Sequence, residues 1–367
     1  MKKIEFTSVQ KENYSLKKKL IRSLDNVFSH GNFILGHEVL ELEKKISKLV
    51  NTKYAVGVSN GTSALFLSLK SFGIKKGDEV LTVAMTYLST VSSIVLTGAR
   101  PVIVDVDESM NIDIKDLKKK ITKKTKAIIV VHLTGNPCNI LEIKKIIKDR
   151  KIRLIEDCAQ SIGSKINKQN VGSFGDVGCF SFHPLKNLGT LGDGGIITTN
   201  SKRIYEYLKM GRNNGHPHRD ECNFWTFNMR LDTIHAAFLL VKIKYLNKLI
   251  NSRRKNAAFY FKNLKNLPII LPRVKRNIFH TFHLFVIRTK YQKELKNYLE
   301  KKGIETKIHY PIPVNKMKAF VKSKYLTKNL KNTNKFSKQI LSLPINQYLK
   351  KNELSHITNS IKKFFNE

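Results

Sequence analysis

The chain has 367 residues, 41% of them hydrophobic, which is the composition of a globular protein with room for one large and one smaller domain. No stretch approaches the roughly 20 apolar residues of a membrane span, and the basic N-terminus lacks the apolar run of a signal peptide. The four cysteines show no Cys-x-x-Cys spacing, so neither a metal site nor a disulfide framework is indicated, and we expect a cytoplasmic protein.

The formal net charge is +39, from 67 Lys and Arg residues against 28 Asp and Glu. Such a charge suits a protein that binds nucleic acid or an anionic membrane surface. However, the lysines recur through the whole chain between apolar residues at helical spacing, as in 117–124 and 143–148, which is typical of solvated helix faces. We therefore expect a lysine-rich composition with no nucleic-acid or membrane partner.

Residues 1 to about 50 are predicted to form an arm and amphipathic helices, followed by a strand over 54–58. The next stretch, Ser59-Asn-Gly-Thr-Ser-Ala-Leu, predicts a tight turn and a helix from Ala64 to Leu69, capped by Thr62 or Ser63. A helix that begins directly after a strand offers free amide groups and the positive end of its dipole, which is a natural phosphate site. An ordinary capped helix is the alternative for this stretch alone.

Apolar strands over 79–85, 101–107 and 127–133 then alternate with helices, the pattern of a parallel sheet covered on both faces. His132 lies in one of these strands and is expected to be structural. Asp157 follows the next strand, at the carboxyl end where α/β sheets bind ligands. Its alternative role is to cap a helix that starts near Ala159.

Lys186 lies between a short strand over 177–182 and a cluster of glycines that leads into a strand over 196–199. Only glycine adopts positive φ at low cost, so the cluster lets the backbone pass close to a bulky group. A lysine presented between two strands in this way is well placed to form a Schiff base. Most lysines of so basic a chain are solvated. The hypothesis for Lys186 therefore rests on the residues next to it in the sequence.

The neighbours of Lys186 are Ser181-Phe-His-Pro-Leu-Lys-Asn-Leu and the following Gly-Asp-Gly-Gly. They resemble the lysine motif of the DegT/DnrJ/EryC1/StrS family of sugar aminotransferases. Family members use pyridoxal 5′-phosphate (PLP), and the resemblance extends from roughly residue 6 to residue 365 with the motifs in family order. It implies that Lys186 binds PLP and that Ser181 contacts the PLP phosphate. The segment Asn60-Gly-Thr-Ser-Ala-Leu matches the family's phosphate segment, which gives this role also to Gly61, Thr62 and Ser63.

The same resemblance assigns the groups around the cofactor ring. The match to Glu-Asp-x-Ala-Gln-Ser implies that Asp157 keeps the pyridine nitrogen protonated and that Gln160 lies near the phenolic oxygen. Tyr87 occupies the position of the aromatic residue that stacks on the ring. His309 and Tyr310 match the family's His-Tyr-Pro and are expected at the mouth of the substrate site.

The segment over 223–237 resembles the family's Gly-Tyr-Asn-x-Arg region. Asn228 matches an asparagine that reaches across a dimer interface to the partner's phosphate, and Arg230 matches an arginine near the substrate. Three positions depart from the pattern, since Thr226 replaces glycine, Phe227 replaces tyrosine and His235 replaces glutamine. We expect the last change to affect helix packing alone.

The resemblance implies a PLP-dependent transferase fold of type I, an α/β fold that acts as a homodimer. A large domain with a mixed, mostly parallel sheet is expected over 1–250 and a small α+β domain over 251–367. The implied reaction moves an amino group from an amino acid, by family habit L-glutamate, to a keto sugar, often nucleotide-linked, in amino-sugar or surface-polysaccharide biosynthesis.

Two alternatives stay open from the sequence. One is a PLP-dependent sugar dehydratase of the same fold, which Lys186 opposes because that branch carries histidine there. The other is a non-enzymatic regulator that binds polyanions through its charge, which the full set of cofactor residues opposes.

Overall fold

The computed structural model describes residues 3–366 apart from 324, 326 and 328. Its strands are β1 Tyr54–Val58, β2 Glu79–Val83, β3 Arg100–Val104, β4 Thr125–Val131, β5 Arg153–Asp157, β6 Lys165–Ile166, β7 Gln169–Asn170, β8 Val177–Ser181, β9 Gly195–Thr199, β10 Ile278–Phe279, β11 Phe285–Arg288 and β12 Ile340–Leu343. Its α-helices are α1 Val9–His30, α2 His37–Val50, α3 Gly61–Ser71, α4 Ser89–Leu96, α5 Ile114–Lys120, α6 Ile140–Ile147, α7 Lys202–Gly211, α8 Thr233–Lys242, α9 Leu246–Leu264, α10 Gln292–Lys301, α11 Lys318–Lys322, α12 Lys331–Phe336 and α13 Lys351–Asn366. Within the described part of the chain, no helix is long and apolar enough to cross a membrane.

Seven of the described strands form a central sheet in the order β1-β9-β8-β5-β4-β2-β3. β9 runs antiparallel to both of its neighbours, whereas the other pairings are parallel. The expected mixed, mostly parallel sheet is therefore confirmed.

Both faces of the sheet are covered, as the apolar strand sequences require. In β4, Ala127 and Ile129 join the core with side chains of α3 and α7, while Ile128 and Val130 join the opposite core with α5 and α6. This alternation is the two-residue period of a strand buried on both sides. Helices α2 and α8 cover the sheet near β1 and β9.

The C-terminal part of the chain has its own small core. β11 and β12 pair antiparallel, and α9, α10 and α13 pack around them on buried side chains that include Tyr260 and Phe285. α9 passes without a break through the expected domain boundary at residue 250. The N-terminal arm also joins this part, since Ile4 forms a parallel bridge with Ile304. The division into two domains stays a prediction.

Candidate active site

A cavity of about 710 Å³ opens at the carboxyl ends of β1, β2, β5 and β8. This is the edge at which parallel α/β sheets bind ligands. Most of the predicted site residues line it: Gly61, Thr62, Tyr87, Asp157, Gln160, Ser181, Lys186, His309 and Tyr310. Ser63, Asn228 and Arg230 do not.

Lys186 lies in the turn that follows β8, where its backbone N–H donates to the His183 carbonyl oxygen at 2.9 Å. Its ammonium has no hydrogen-bond or ion-pair partner within the described residues. Burial lowers the pKa of Lys186 to about 8, and the carboxylate of Asp157 opposes this shift. A lysine with a lowered pKa exposes more of its neutral amine, which is the form that attacks carbonyl compounds.

Asp157 ends β5 and is buried at the cavity wall. Its Oδ2 accepts a hydrogen bond from the Thr90 hydroxyl at 2.8 Å, and its Oδ1 accepts from the Ala159 amide at 3.1 Å. Residues 159–163 form turns, so the carboxylate caps no helix there. Burial raises the pKa of Asp157, while the Thr90 and Ala159 hydrogen bonds and the charge of Lys186 act in the opposite direction.

Removal of the Thr90 hydroxyl should change the pKa of Asp157 while its carboxylate stays in the site. In Thr90→Val the pKa of Asp157 should rise further, because a hydrogen bond to the charged form is lost. We expect the acid limb of the kcat/KM profile to move to higher pH and activity at neutral pH to fall roughly 5- to 30-fold, the effect of about 1–2 kcal/mol. Ser93→Ala, which removes a hydroxyl on the same helix that contacts only the Thr90 carbonyl, is the control. Identical profiles for the two variants would contradict this role of Thr90.

The N-terminus of α3 forms the second part of the site. The side chain of Asn60 caps this helix by accepting the Ser63 amide at 2.8 Å, so the predicted capping by Thr62 or Ser63 is wrong. The extended backbone of Asn60 places its side chain over the first turn, a geometry that residues inside the helix cannot adopt. The hydroxyl of Ser63 contacts that of Ser59 at 2.8 Å instead of lining the cavity.

The amides of Gly61 and Thr62 precede the first helical hydrogen bond and have no acceptor within the described residues. A Cβ at Gly61 would lie 2.9 Å from the Cβ of Ser181, so glycine is what allows the helix to approach the end of β8. Free amides, a hydroxyl and a helix N-terminus together suit a phosphate group.

Aromatic and amide groups form the opposite wall. The side chain of Gln160 is fixed at both ends, since its Oε1 accepts the Thr134 amide at 2.7 Å and its Nε2 donates to the Tyr310 hydroxyl at 2.9 Å. The rings of Tyr87 and Tyr310 both line the cavity, with centroids 5.9 Å apart at an angle of 49°. Tyr87 is 55% exposed, so a planar ligand has room to stack there.

His309 is held from two sides. Its Nδ1 lies 2.9 Å from the Ser342 hydroxyl, and its ring stacks on Phe6 of the N-terminal arm with centroids 5.6 Å apart. Burial lowers the pKa of His309 to about 4, so the ring is neutral at physiological pH.

Asn228 and Arg230 lie outside this cavity. Asn228 is exposed and forms an antiparallel bridge with Asn213, and the guanidinium of Arg230 donates to the Asn213 side chain at 2.9 Å. Their predicted roles, which involve a partner subunit and the substrate, stay predictions.

Several residues of the cavity wall were not predicted: Phe6, Glu12, Thr90, His183, Arg253 and His283. His183 stands inside the lysine motif, which is a signal that was present in the sequence. Phe6, Glu12 and Arg253 come from distant parts of the chain and carry no local signature.

His132, Glu156 and Cys158 lie close enough together to suggest a metal site. Their contacts favour the structural interpretation of His132 instead. Its Nδ1 accepts the Cys138 amide at 3.1 Å, and its Nε2 lies 3.0 Å from Glu156. The Glu156 carboxylate also accepts three backbone amides of the loop after β7, so its charge is already stabilised.

A type I PLP enzyme needs a lysine, a carboxylate, a phosphate-binding helix N-terminus and an aromatic ring around one cavity. This cavity combines Lys186, which has no partner among the described residues, with Asp157, the N-terminus of α3 and Tyr87. A sequence model of the DegT/DnrJ/EryC1/StrS aminotransferase family matches residues 14–362. The chain belongs to this family, and membership implies PLP as cofactor; the expectation of an aminotransferase is confirmed.

Individual proteins agree with this. The chain is 38% identical to the dTDP-3-amino-3,6-dideoxy-alpha-D-galactopyranose transaminase of Aneurinibacillus thermoaerophilus, covering 98% of this chain and 99% of that protein. It is 36% identical to a pleiotropic regulatory protein of Geobacillus stearothermophilus, covering 95% of each. The crystal structure of S. venezuelae DesV in complex with a ketimine intermediate superposes with a TM-score of 0.97 at 31% identity and covers 100% of both chains.

Proposed function

We propose that this chain binds PLP through Lys186 and transfers the amino group of L-glutamate to a nucleotide-linked keto sugar. The observation that carries the proposal is the free amine of Lys186 in one cavity with the buried carboxylate of Asp157. The transaminase from A. thermoaerophilus, named for a dTDP-linked amino sugar, supports the substrate class.

The residues present fit this cofactor. PLP, when bound, supplies a ring that accepts the electrons left when a proton leaves the α carbon of the donor. The amides of Gly61 and Thr62 and the hydroxyl of Ser181 would hold its phosphate, and Tyr87 would cover its ring. Asp157 would keep the proton on the pyridine nitrogen by charge pairing, since a carboxylate in a dry site binds a cationic partner strongly.

Lys186 then has two tasks. Its amine would hold the cofactor, and the same amine, once free, would act as the base for the proton that leaves the α carbon of the donor. Its lowered pKa suits this second task, because a base that operates near neutral pH must release its own proton there.

The visible absorption spectrum tests the proposal directly. The purified protein supplied with PLP should show a yellow band that bleaches when L-glutamate alone is added, with release of one equivalent of 2-oxoglutarate per site. D-Glutamate, which presents its α hydrogen to the wrong face, is the control. A band that persists with L-glutamate would contradict the donor, and the lack of any band would contradict the cofactor.

We further propose a homodimer in which Asn228 completes the site of the partner subunit, because this exposed side chain does not line the cavity of its own chain. Asn228→Ala and Lys186→Ala should each be impaired alone. After the two are unfolded, mixed and refolded together, mixed dimers contain one site with both residues intact, so up to about one quarter of wild-type activity should return. No recovery in verified mixed dimers would show that Asn228 does not serve the partner.

The two alternatives are tested separately. The presence of Lys186 opposes the dehydratase, and an amino-sugar product would exclude it. The name of the G. stearothermophilus relative suggests the other alternative, a non-enzymatic regulator that binds polyanions. Retention on DNA that survives Lys186→Ala and disappears with salt would support that role.

A further inference from the structure

Besides Lys186, the described residues place two cationic side chains on the cavity wall, Arg253 and Lys307. Lys307 contacts the Glu305 carboxylate at 2.7 Å and is about half exposed, so its charge is already balanced. Arg253 has no carboxylate within 4.0 Å among the described residues. The cavity therefore contains a cation without an anionic partner.

Arg253 is held in place by neutral groups. Its Nη1 donates to the backbone oxygens of Phe282 at 3.3 Å and His283 at 3.2 Å, and its Nε donates to the Gln347 side chain at 3.2 Å. Its Nη2 has no partner in the described part of the chain. Glu12, whose charge acts on this guanidinium, is engaged by Lys242 at 3.2 Å and by Gln347 at 2.7 Å.

His283 stands beside this guanidinium on the same wall and is 9% exposed. Neither of its ring nitrogens has a hydrogen-bond partner within the described residues, and its Nδ1 is closed off from solvent. Burial, with the charges of Lys186 and Arg253, holds the pKa of His283 well below its usual range, so the ring is neutral. A neutral imidazole retains one N–H that can donate to a ligand.

Arg253 stays protonated near neutral pH even though burial lowers its pKa to about 10. The side chain of Arg253 is half-buried, and a partly desolvated charge that lacks a counter-ion is unfavourable. A bound anion removes that cost. Two donor groups are free at this wall: the Nη2 group of Arg253 and one imidazole N–H of His283. Together they match the two oxygens of a single carboxylate. A diphosphate carries more charge and needs more donors than this wall offers.

We infer that Arg253 and His283 form the binding site for a carboxylate of the amino donor, an inference that rests on the proposed function. The donor is the substrate whose amine must reach Lys186, and the same cavity contains both groups. A carboxylate bound by Arg253 would restrict the donor to one orientation in front of the lysine.

Glutarate, a dicarboxylate without an amine, is the probe. Its affinity for the PLP-loaded protein, measured by isothermal titration calorimetry, should fall about 10- to 100-fold in Arg253→Gln. Arg253→Lys keeps the charge and should fall less. Arg254→Gln is the matched control, because that neighbouring guanidinium donates to the His280 carbonyl and does not line the cavity. Equal affinity in wild type and Arg253→Gln would overturn the inference.

A second measurement separates the donor from the sugar nucleotide. In Arg253→Gln the L-glutamate concentration that gives the half-maximal rate of bleaching should rise at least tenfold. The affinity for dTDP should stay as in wild type. A loss of dTDP affinity with glutarate binding unchanged would assign the site to the nucleotide and overturn the inference. If the wild type itself does not bleach with L-glutamate, the proposed function fails; if it bleaches and the variants match it, only this inference fails.

The folding of the variants is controlled by their PLP absorption and thermal midpoint. If Arg253→Gln loses PLP, His283→Phe is used instead. Arg253 contacts only the backbone oxygen of His283, so this substitution leaves that contact in place. This variant keeps the guanidinium and its anchors but removes the imidazole donor, so glutarate affinity should fall about 3- to 10-fold, the effect of one neutral hydrogen bond. Unchanged affinity would remove His283 from the site.

Discussion

Replacement of Lys186 by alanine is expected to reduce transamination by at least about 10⁴-fold, because in the proposed function this one side chain is both the attachment point of the cofactor and the base that moves the proton. Turnover of L-glutamate to 2-oxoglutarate, measured with PLP in excess, is the readout. The yellow band of the attached cofactor should also be absent from this variant. Activity within tenfold of wild type would contradict the assignment of Lys186.

The same lysine is expected to have the opposite effect on stability, and measuring this effect would separate a loss of activity from a loss of fold. Because the pKa of Lys186 is lowered from 10.5 to about 8, the folded chain binds this proton less tightly than the unfolded chain. The destabilisation is fully present below pH 8 and disappears as the pH rises towards 10.5. Lys186→Met should therefore raise the free energy of unfolding of the cofactor-free protein at pH 7, by roughly 1–3 kcal/mol. The gain should vanish above pH 10.5.

Asp157→Asn is expected to lower kcat about 10²- to 10³-fold while the fold persists. The amide has nearly the same shape, and its oxygen can still accept from the Ala159 amide while its Nδ2 donates to the Thr90 hydroxyl. It has no charge, however, with which to keep the cofactor nitrogen protonated. The loss of one charge pair in a dry site, about 3–4 kcal/mol, sets the magnitude.

The control for this variant is Asp176→Asn. Asp176 accepts the Leu154 amide at 2.8 Å at the opposite edge of the sheet, so its substitution removes a carboxylate from the same pair of strands without touching the cavity. It should lower stability but leave kcat of the folded enzyme within about twofold. Full turnover by Asp157→Asn would show that the ring nitrogen needs no anionic partner here.

The sequence allowed prediction of those parts of the site that depend on local order. Asp157 lies at the carboxyl end of a strand, and Gly61 and Lys186 lie shortly after two others. Parallel strands bring such positions to one edge of the sheet. The apolar runs of β2 and β4 also depend on local order, and they indicated a sheet that is covered on both faces. Capping of α3 was mispredicted because Asn60, Thr62 and Ser63 all carry suitable oxygens, and only the backbone angles decide which one caps.

Other parts could not be predicted because they arise from contacts between distant segments. Phe6 stacks on His309, and Arg253 of α9 reaches the carbonyls that precede β11. No periodicity or turn signal relates such positions, and a buried cation cannot be distinguished by composition in a chain with 67 basic residues. The antiparallel insertion of β9 between β1 and β8 is likewise a property of the assembled sheet.

That insertion has a consequence for folding. β9 joins β1, which is close to the start of the chain, to β8, and a Cβ at Gly195 would lie 2.5 Å from the carbonyl of Asn60. The N-terminus of α3 and the turn that contains Lys186 therefore come together only after this long-range pairing has formed. Contacts between residues far apart in sequence are slow to form. During refolding, recovery of the yellow band should consequently lag behind recovery of helical circular dichroism. Cofactor capture would then mark the closing of the sheet and stabilise it by mass action.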